Sequence, residues 1–100
     1  MAAYEIPIIN APFQRLQTVL NQKNVGLVLA WNTWLGRWAL SVELDDVEVV
    51  SGLRLVPGTD LVRGFGLGIG RLVLVDWAGR GGDPGYGELP SGEFRLVNLV

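Results

Sequence analysis

The sequence predicts an all-β chain: a single small antiparallel β-barrel or sandwich of about seven short strands, spanning residues 1–100 as one domain. Three observations carry this expectation. Apolar residues recur at every second position through most segments, the period of a strand with one buried face. Fourteen glycines and five prolines in 100 residues interrupt those segments at short intervals, as turns between strands do. Neither an internal repeat nor a heptad appears.

The clearest element is Val25–Leu44. Val25, Leu27, Leu29 and Trp31 alternate with Gly26, Val28, Ala30 and Asn32. After Asn32-Thr33-Trp34-Leu35-Gly36, Trp38, Leu40, Val42 and Leu44 alternate with Ala39, Ser41 and Glu43. Asn tolerates left-handed backbone and Gly has no steric cost there, so the segment is expected to be a long hairpin with Trp31 and Trp38 on its apolar face.

The rest follows in chain order. In the leader Met1–Pro12, Tyr4, Ile6 and Ile8 alternate between prolines, which fits an edge strand or an extended arm on a neighbouring subunit. Phe13–Leu20 is compatible with helix or strand, and the Asn21-Gln22-Lys23-Asn24 turn into Val25 favours strand and hairpin. Asp45-Asp46 closes the next turn, into a strand over Val47–Val50. Ser51-Gly52 is a turn or bulge, and Leu53–Val56 stays extended up to the Pro57-Gly58 turn. Thr59–Arg63 is expected to form one helical turn capped by Thr59 or Asp60. In Gly64–Gly70, Phe65, Leu67 and Ile69 alternate with four glycines, which predicts an extended segment with one apolar and one bare face. Arg71–Trp77 and Glu93–Val100 are the last strands. Between them Ala78–Gly92 is a long loop with six glycines and two prolines.

Composition excludes several functions. The chain has no Cys and no His, which removes disulfides, thiolate and imidazole metal ligands, and histidine acid–base chemistry. Seven Arg and one Lys are scattered among ten acids, so there is no basic footprint for nucleic acid. Met1–Ile9 has no signal-peptide pattern, and the apolar runs fall far short of the ~20 residues of a membrane span, so a soluble protein without membrane contact is expected. With 49% hydrophobic and 18% charged residues, some apolar surface should remain exposed and point to an obligate partner.

No motif supplies chemistry. Gly64, Gly66, Gly68 and Gly70 fall at every second residue, not at the spacing of a dinucleotide fingerprint. Asp45, Asp46 and Asp83 are turn residues by context, Asp60 is a cap or Asx-turn acid, and Asp76 is a solvent-facing acid at a strand end. Ser41 and Ser51 lack a His or Lys arrangement that would activate them. The expectation is no enzyme, no cofactor and no metal site. Trp31 and Trp38 are in phase with core positions, whereas Trp34 and Trp77 are open to packing or to ligand stacking. Phe65, Leu67 and Ile69 are the candidate subunit interface, with core packing the alternative.

From Phe13 onward the order of features resembles a family of small tailed-phage proteins, similar to the baseplate plug of a contractile-tailed cyanophage. The residues that carry it are the Leu16–Leu20 strand, Val25–Asn32, Trp38-Ala39-Leu40-Ser41-Val42 ahead of Asp45-Asp46, and Ser51–Leu61. Leu67-Gly68-Ile69-Gly70 before Leu72–Val75, and the terminal Phe94-Arg95-Leu96-Val97, complete it. Glu88-Leu89-Pro90 stands where the family tends to have Asn-Leu-Gly, and Met1–Pro12 carries no family signal. The resemblance implies a structural component of a virion tail baseplate, plugging or lining the axial tube and hub region. It further implies assembly in the host cytoplasm with hub, spike and tube proteins as partners; the few charges and the Gly64–Gly70 segment, with one bare and one apolar face, point to a homo-oligomer. The alternative is a free-standing glycan-binding module using Trp34, Trp77 and Tyr86.

Overall fold

In the computed structural model, which describes residues 3–100, two tight turns organise the larger sheet. Asn21 and Gln22 have φ of 50° and 65°, and Asp45 and Asp46 have 49° and 66°. Two successive residues at positive φ make the hairpin turn whose twist matches that of its flanking strands. The strands are β1 (Ala3–Ile6), β2 (Phe13–Leu20), β3 (Lys23–Asn32), β4 (Arg37–Leu44), β5 (Val47–Arg54), β6 (Arg71–Asp76) and β7 (Phe94–Leu99). They form a four-stranded sheet in the order β2-β3-β4-β5 and a three-stranded sheet in the order β1-β7-β6. All named pairings are antiparallel. The architecture is a sandwich and not a closed barrel.

The expected alternation sets which face is buried. Val25, Leu27 and Leu29 on β3, and Trp38, Leu40 and Val42 on β4, meet Ile6, Leu72, Leu74, Phe94 and Leu96 of the other sheet in one core. In the register Trp31 lies opposite Trp38. Between the sheets, Leu55–Leu61 runs along β6: Gly58 N–H donates to the Leu74 carbonyl (2.9 Å) and Leu61 N–H to that of Leu72 (2.7 Å). β5 carries the expected irregularity, with register shifts opposite Leu40–Glu43 and Gly52 at φ 69°, a bulge.

One expectation fails here. Gly64–Gly70 is not extended: its four glycines have φ of 88°, 65°, 70° and 80°, and the segment winds through turns. A glycine at every second position imitates the strand period, but it also lets the backbone enter left-handed geometry at every second residue. Over Thr59–Arg63 the expected single turn is present and is capped by Asp60: Arg63 N–H donates to the Asp60 carbonyl (3.3 Å). Asp60 Oδ1 accepts from Val62 N–H and from Leu72 N–H, both at 3.2 Å. The side chain thus takes the expected cap or Asx-turn role and also ties the turn to β6.

The Gln14 side chain is a fold determinant that its polarity does not announce. It is buried and behaves like a short piece of strand. Its Oε1 accepts from Ile9 N–H (3.0 Å), and its Nε2 donates to the carbonyls of Ile9 (2.9 Å) and Ala11 (3.0 Å). This holds the link from β1 to β2. Its phase with Leu16 and Leu20 was the available signal that it faces inward.

Asp76 organises the start of the long loop. Its carboxylate accepts from Gly81 N–H (2.7 Å) and Arg80 N–H (3.0 Å). These bonds, that of Gly81 foremost, hold its pKa below the ordinary 3.8. Because the folded value is depressed, the contribution is complete above about pH 4 and is lost as pH falls through the folded value. We expect the Gly81 and Arg80 amide resonances to titrate together with a midpoint below 3.8, and not to do so in Asp76→Asn. A midpoint at or above that value would contradict the assignment.

Candidate functional site

Large apolar side chains reach solvent at both ends of the sandwich, and the most exposed is Trp34 in the β3–β4 connection. The connection is held firmly: Gly36 N–H donates to the Asn32 carbonyl (2.8 Å) and Leu35 N–H to Asn32 Oδ1 (3.0 Å). On this tip the Trp34 side chain is 98% exposed, with Leu35 exposed beside it. An indole in water adds nothing to the core, so a rigid turn that displays one is a presented anchor.

The other tryptophans are used differently. Trp38 is fully buried, its Nε1–H donating to the Gly85 carbonyl at 3.2 Å. Tyr86 stacks on it with ring centroids 5.5 Å apart, and Trp31 meets both rings edge-on at 5.7 and 5.8 Å. The Tyr86 hydroxyl donates to Asn10 Oδ1 (2.8 Å). This cluster pins the long loop over the open end of the core. Trp77 is exposed, but the Arg95 guanidinium lies over one face of its ring, 4.2 Å from the centroid. The three rings of a sugar-stacking site are therefore not equivalent: Tyr86 lies within the loop cluster, Trp77 has one face taken, and Trp34 alone is fully open.

The residues proposed for a subunit contact separate as well. Ile69 is 1% exposed and belongs to the core, Leu67 packs partly against it, and Phe65 alone reaches solvent at 49%. The turns of Gly64–Gly70 point successive side chains in different directions, where an extended chain would have aligned them.

A cleft of about 50 Å³ lies between Ile6, Ile8, Leu89 and Phe94, well below the roughly 300–1,000 Å³ of small-molecule sites. Among the described residues no group of three or more acids is placed to hold a metal ion. What this structure offers is surface: a displayed indole, exposed apolar side chains and open sheet edges.

Residues 3–99 match the family model described as cyanophage baseplate Pam3 plug gp18. The chain belongs to this family. The match begins at residue 3, so all but the first two residues of Met1–Pro12 lie within it, against the expectation that this leader carries no family signal; β1 lies within the matched span. No curated protein matches the chain. Membership in the baseplate plug family makes the chain a structural protein of a virion tail baseplate, and other baseplate components are its partners. The exposed tip and edges of this plug chain are the surfaces available for them.

Proposed function

We propose that this plug chain closes or lines the axial region where the tail tube meets hub and spike. It does so as one of several copies, assembled in the host cytoplasm, without catalysis and without nucleic-acid or membrane contact. The observation that carries the reading is the Trp34–Leu35 tip: a rigid hairpin displaying a fully exposed indole, in a chain whose family is named for a baseplate plug. A plug must be held by contacts that resist until contraction, and buried aromatic anchors supply most of the binding energy in such interfaces. Phe65 is a second contact, on the Gly64–Gly70 segment that Asn21 Nδ2 ties to the β2–β3 turn by donating to the Gly68 carbonyl (2.9 Å). The balance of eight basic and ten acidic residues agrees with protein partners in place of nucleic acid.

The test is incorporation. Trp34→Ala should change the stability of the isolated chain by less than about 0.5 kcal/mol, as exposed substitutions do. It should weaken binding to purified hub or tube proteins by about 30-fold or more, the loss of one aromatic anchor. Equal incorporation of wild type and variant into tails would remove the anchor. A particle reconstruction with the chain at the baseplate periphery would remove the axial placement.

A further inference from the structure

Each sheet of a sandwich has two edges, and an edge left open is a template for another strand. Three of the four edges here are guarded. β6 is covered by Leu55–Leu61 through the bonds to Leu72 and Leu74. β1 has only four residues, carries Glu5 and runs into Pro7. β5 is broken by its bulge and bears Glu48 and Arg54. β2 has none of these protections. It is eight residues long, pairs with β3 without a break from Phe13↔Ala30 to Leu20↔Lys23, and contains no proline. Its one charge, Arg15, is tied across the outer face of the sheet to Glu43, with Nε 3.0 Å from Oε1.

The backbone of β2 also says which residues face the open edge. The Pro12 carbonyl accepts from Trp31 N–H, and Leu20 and Lys23 close the tight hairpin. The even-numbered residues therefore bond to β3. The N–H and C=O groups of Phe13, Arg15, Gln17 and Val19 point away from it. Among the described residues no strand pairs with them. The side chains of Phe13 and Val19, 69% and 65% exposed, stand at the two ends of this same row.

We propose that β2 pairs antiparallel with β2 of a second copy about a two-fold axis through Leu16, joining two four-stranded sheets into one continuous sheet. The strand's own chemistry selects this occupant and register. Centred on Leu16, Phe13 of each copy lies opposite Val19 of the other, so the two exposed apolar side chains cover each other. Arg15 lies opposite Gln17, so no like charges meet. Every edge N–H and C=O from Phe13 to Val19 finds a partner, and the interface is closed and self-complementary. A register shifted to centre on Gln17 would leave Phe13 uncovered. The inference deepens the multi-copy part of the function proposed above but does not depend on the axial placement; pairing is tested on the isolated chain and placement on the particle.

The experiment uses light scattering together with disulfide trapping. Wild type should show a mass near twice the 10.9 kDa of the chain. Gln17→Pro removes an N–H from the open edge and none from the β3 ladder, and should be a folded monomer by circular dichroism. Because the chain has no Cys, introduced thiols report cleanly. At the axis the two Leu16 positions form a non-hydrogen-bonded pair with Cα atoms ~4.5 Å apart, so Leu16→Cys should cross-link to a covalent dimer on oxidation. Thr18→Cys, placed opposite Gln14, should not. If Gln17→Pro fails to fold, the two cysteine variants decide alone. A wild type that stays monomeric up to its solubility limit, or that takes up a strand only from another baseplate protein, would overturn the proposal. So would a dimer that persists in folded Gln17→Pro, or one that cross-links equally through residue 18.

Discussion

Trp38→Ala should destabilise the chain by about 3–5 kcal/mol, the range for removing a large aromatic from a packed core. For a domain with roughly 5–15 kcal/mol in total, that is a large share of its stability. Trp38 is fully buried, and its removal acts in three places. It opens a cavity between the sheets, it leaves the Gly85 carbonyl without the indole donor, and it takes the stacking surface from Tyr86. The long loop is tied to the core through the last two, so its amides should lose hydrogen-exchange protection beyond what the global loss accounts for. Trp31→Ala should cost less, because Trp31 is only partly buried. Denaturant melts of the two variants check the order, and a Trp38→Ala loss below about 1 kcal/mol would contradict core membership.

Gly70→Ala is expected to cost about 2–4 kcal/mol, combining left-handed strain with overpacking. Gly70 sits at φ 80°, and a Cβ there would lie 2.5 Å from the Leu99 carbonyl oxygen and 2.5 Å from Val100 Cγ1. The first of these is backbone, fixed by the pairing of β7 with β6, and cannot move aside. Gly66 makes the comparison sharp. It has φ 65° with nothing within 4 Å of the added carbon, so Gly66→Ala should cost only about 1–2 kcal/mol, from the backbone conformation alone. Equal losses for the two would mean that close packing against β7 contributes nothing.

Those two glycines stand four residues apart in one run of the sequence, each preceded by an apolar residue, and the alternating pattern does not distinguish them. The same holds for the tryptophans. Trp31 and Trp38 were legible because each shares the two-residue phase of a strand with Leu29 or Leu40, and phase alone determines which face is buried. Trp34 sits in a turn, where there is no phase to read, and only the folded hairpin shows that its indole meets no neighbour. Gln14 had the right phase but the wrong polarity. Its burial depends on Ile9 and Ala11 arriving with backbone groups to bond, which is a tertiary event.

The sequence by itself determined the all-β class, the β2–β3–β4–β5 meander and most of the buried face, because period-2 alternation and turn residues act over a few neighbours and need no distant contact. It also carried the family, through the order of its motifs. The tertiary structure decided the rest. It set Gly64–Gly70 into turns, buried Ile69 while leaving Phe65 in water, laid Leu55–Leu61 along β6, and left β2 as the unguarded edge. Each of these depends on which segments distant in sequence come to lie side by side. Local alternation cannot encode that, because a strand pattern specifies a face to bury and not the strand that will pair with its edge.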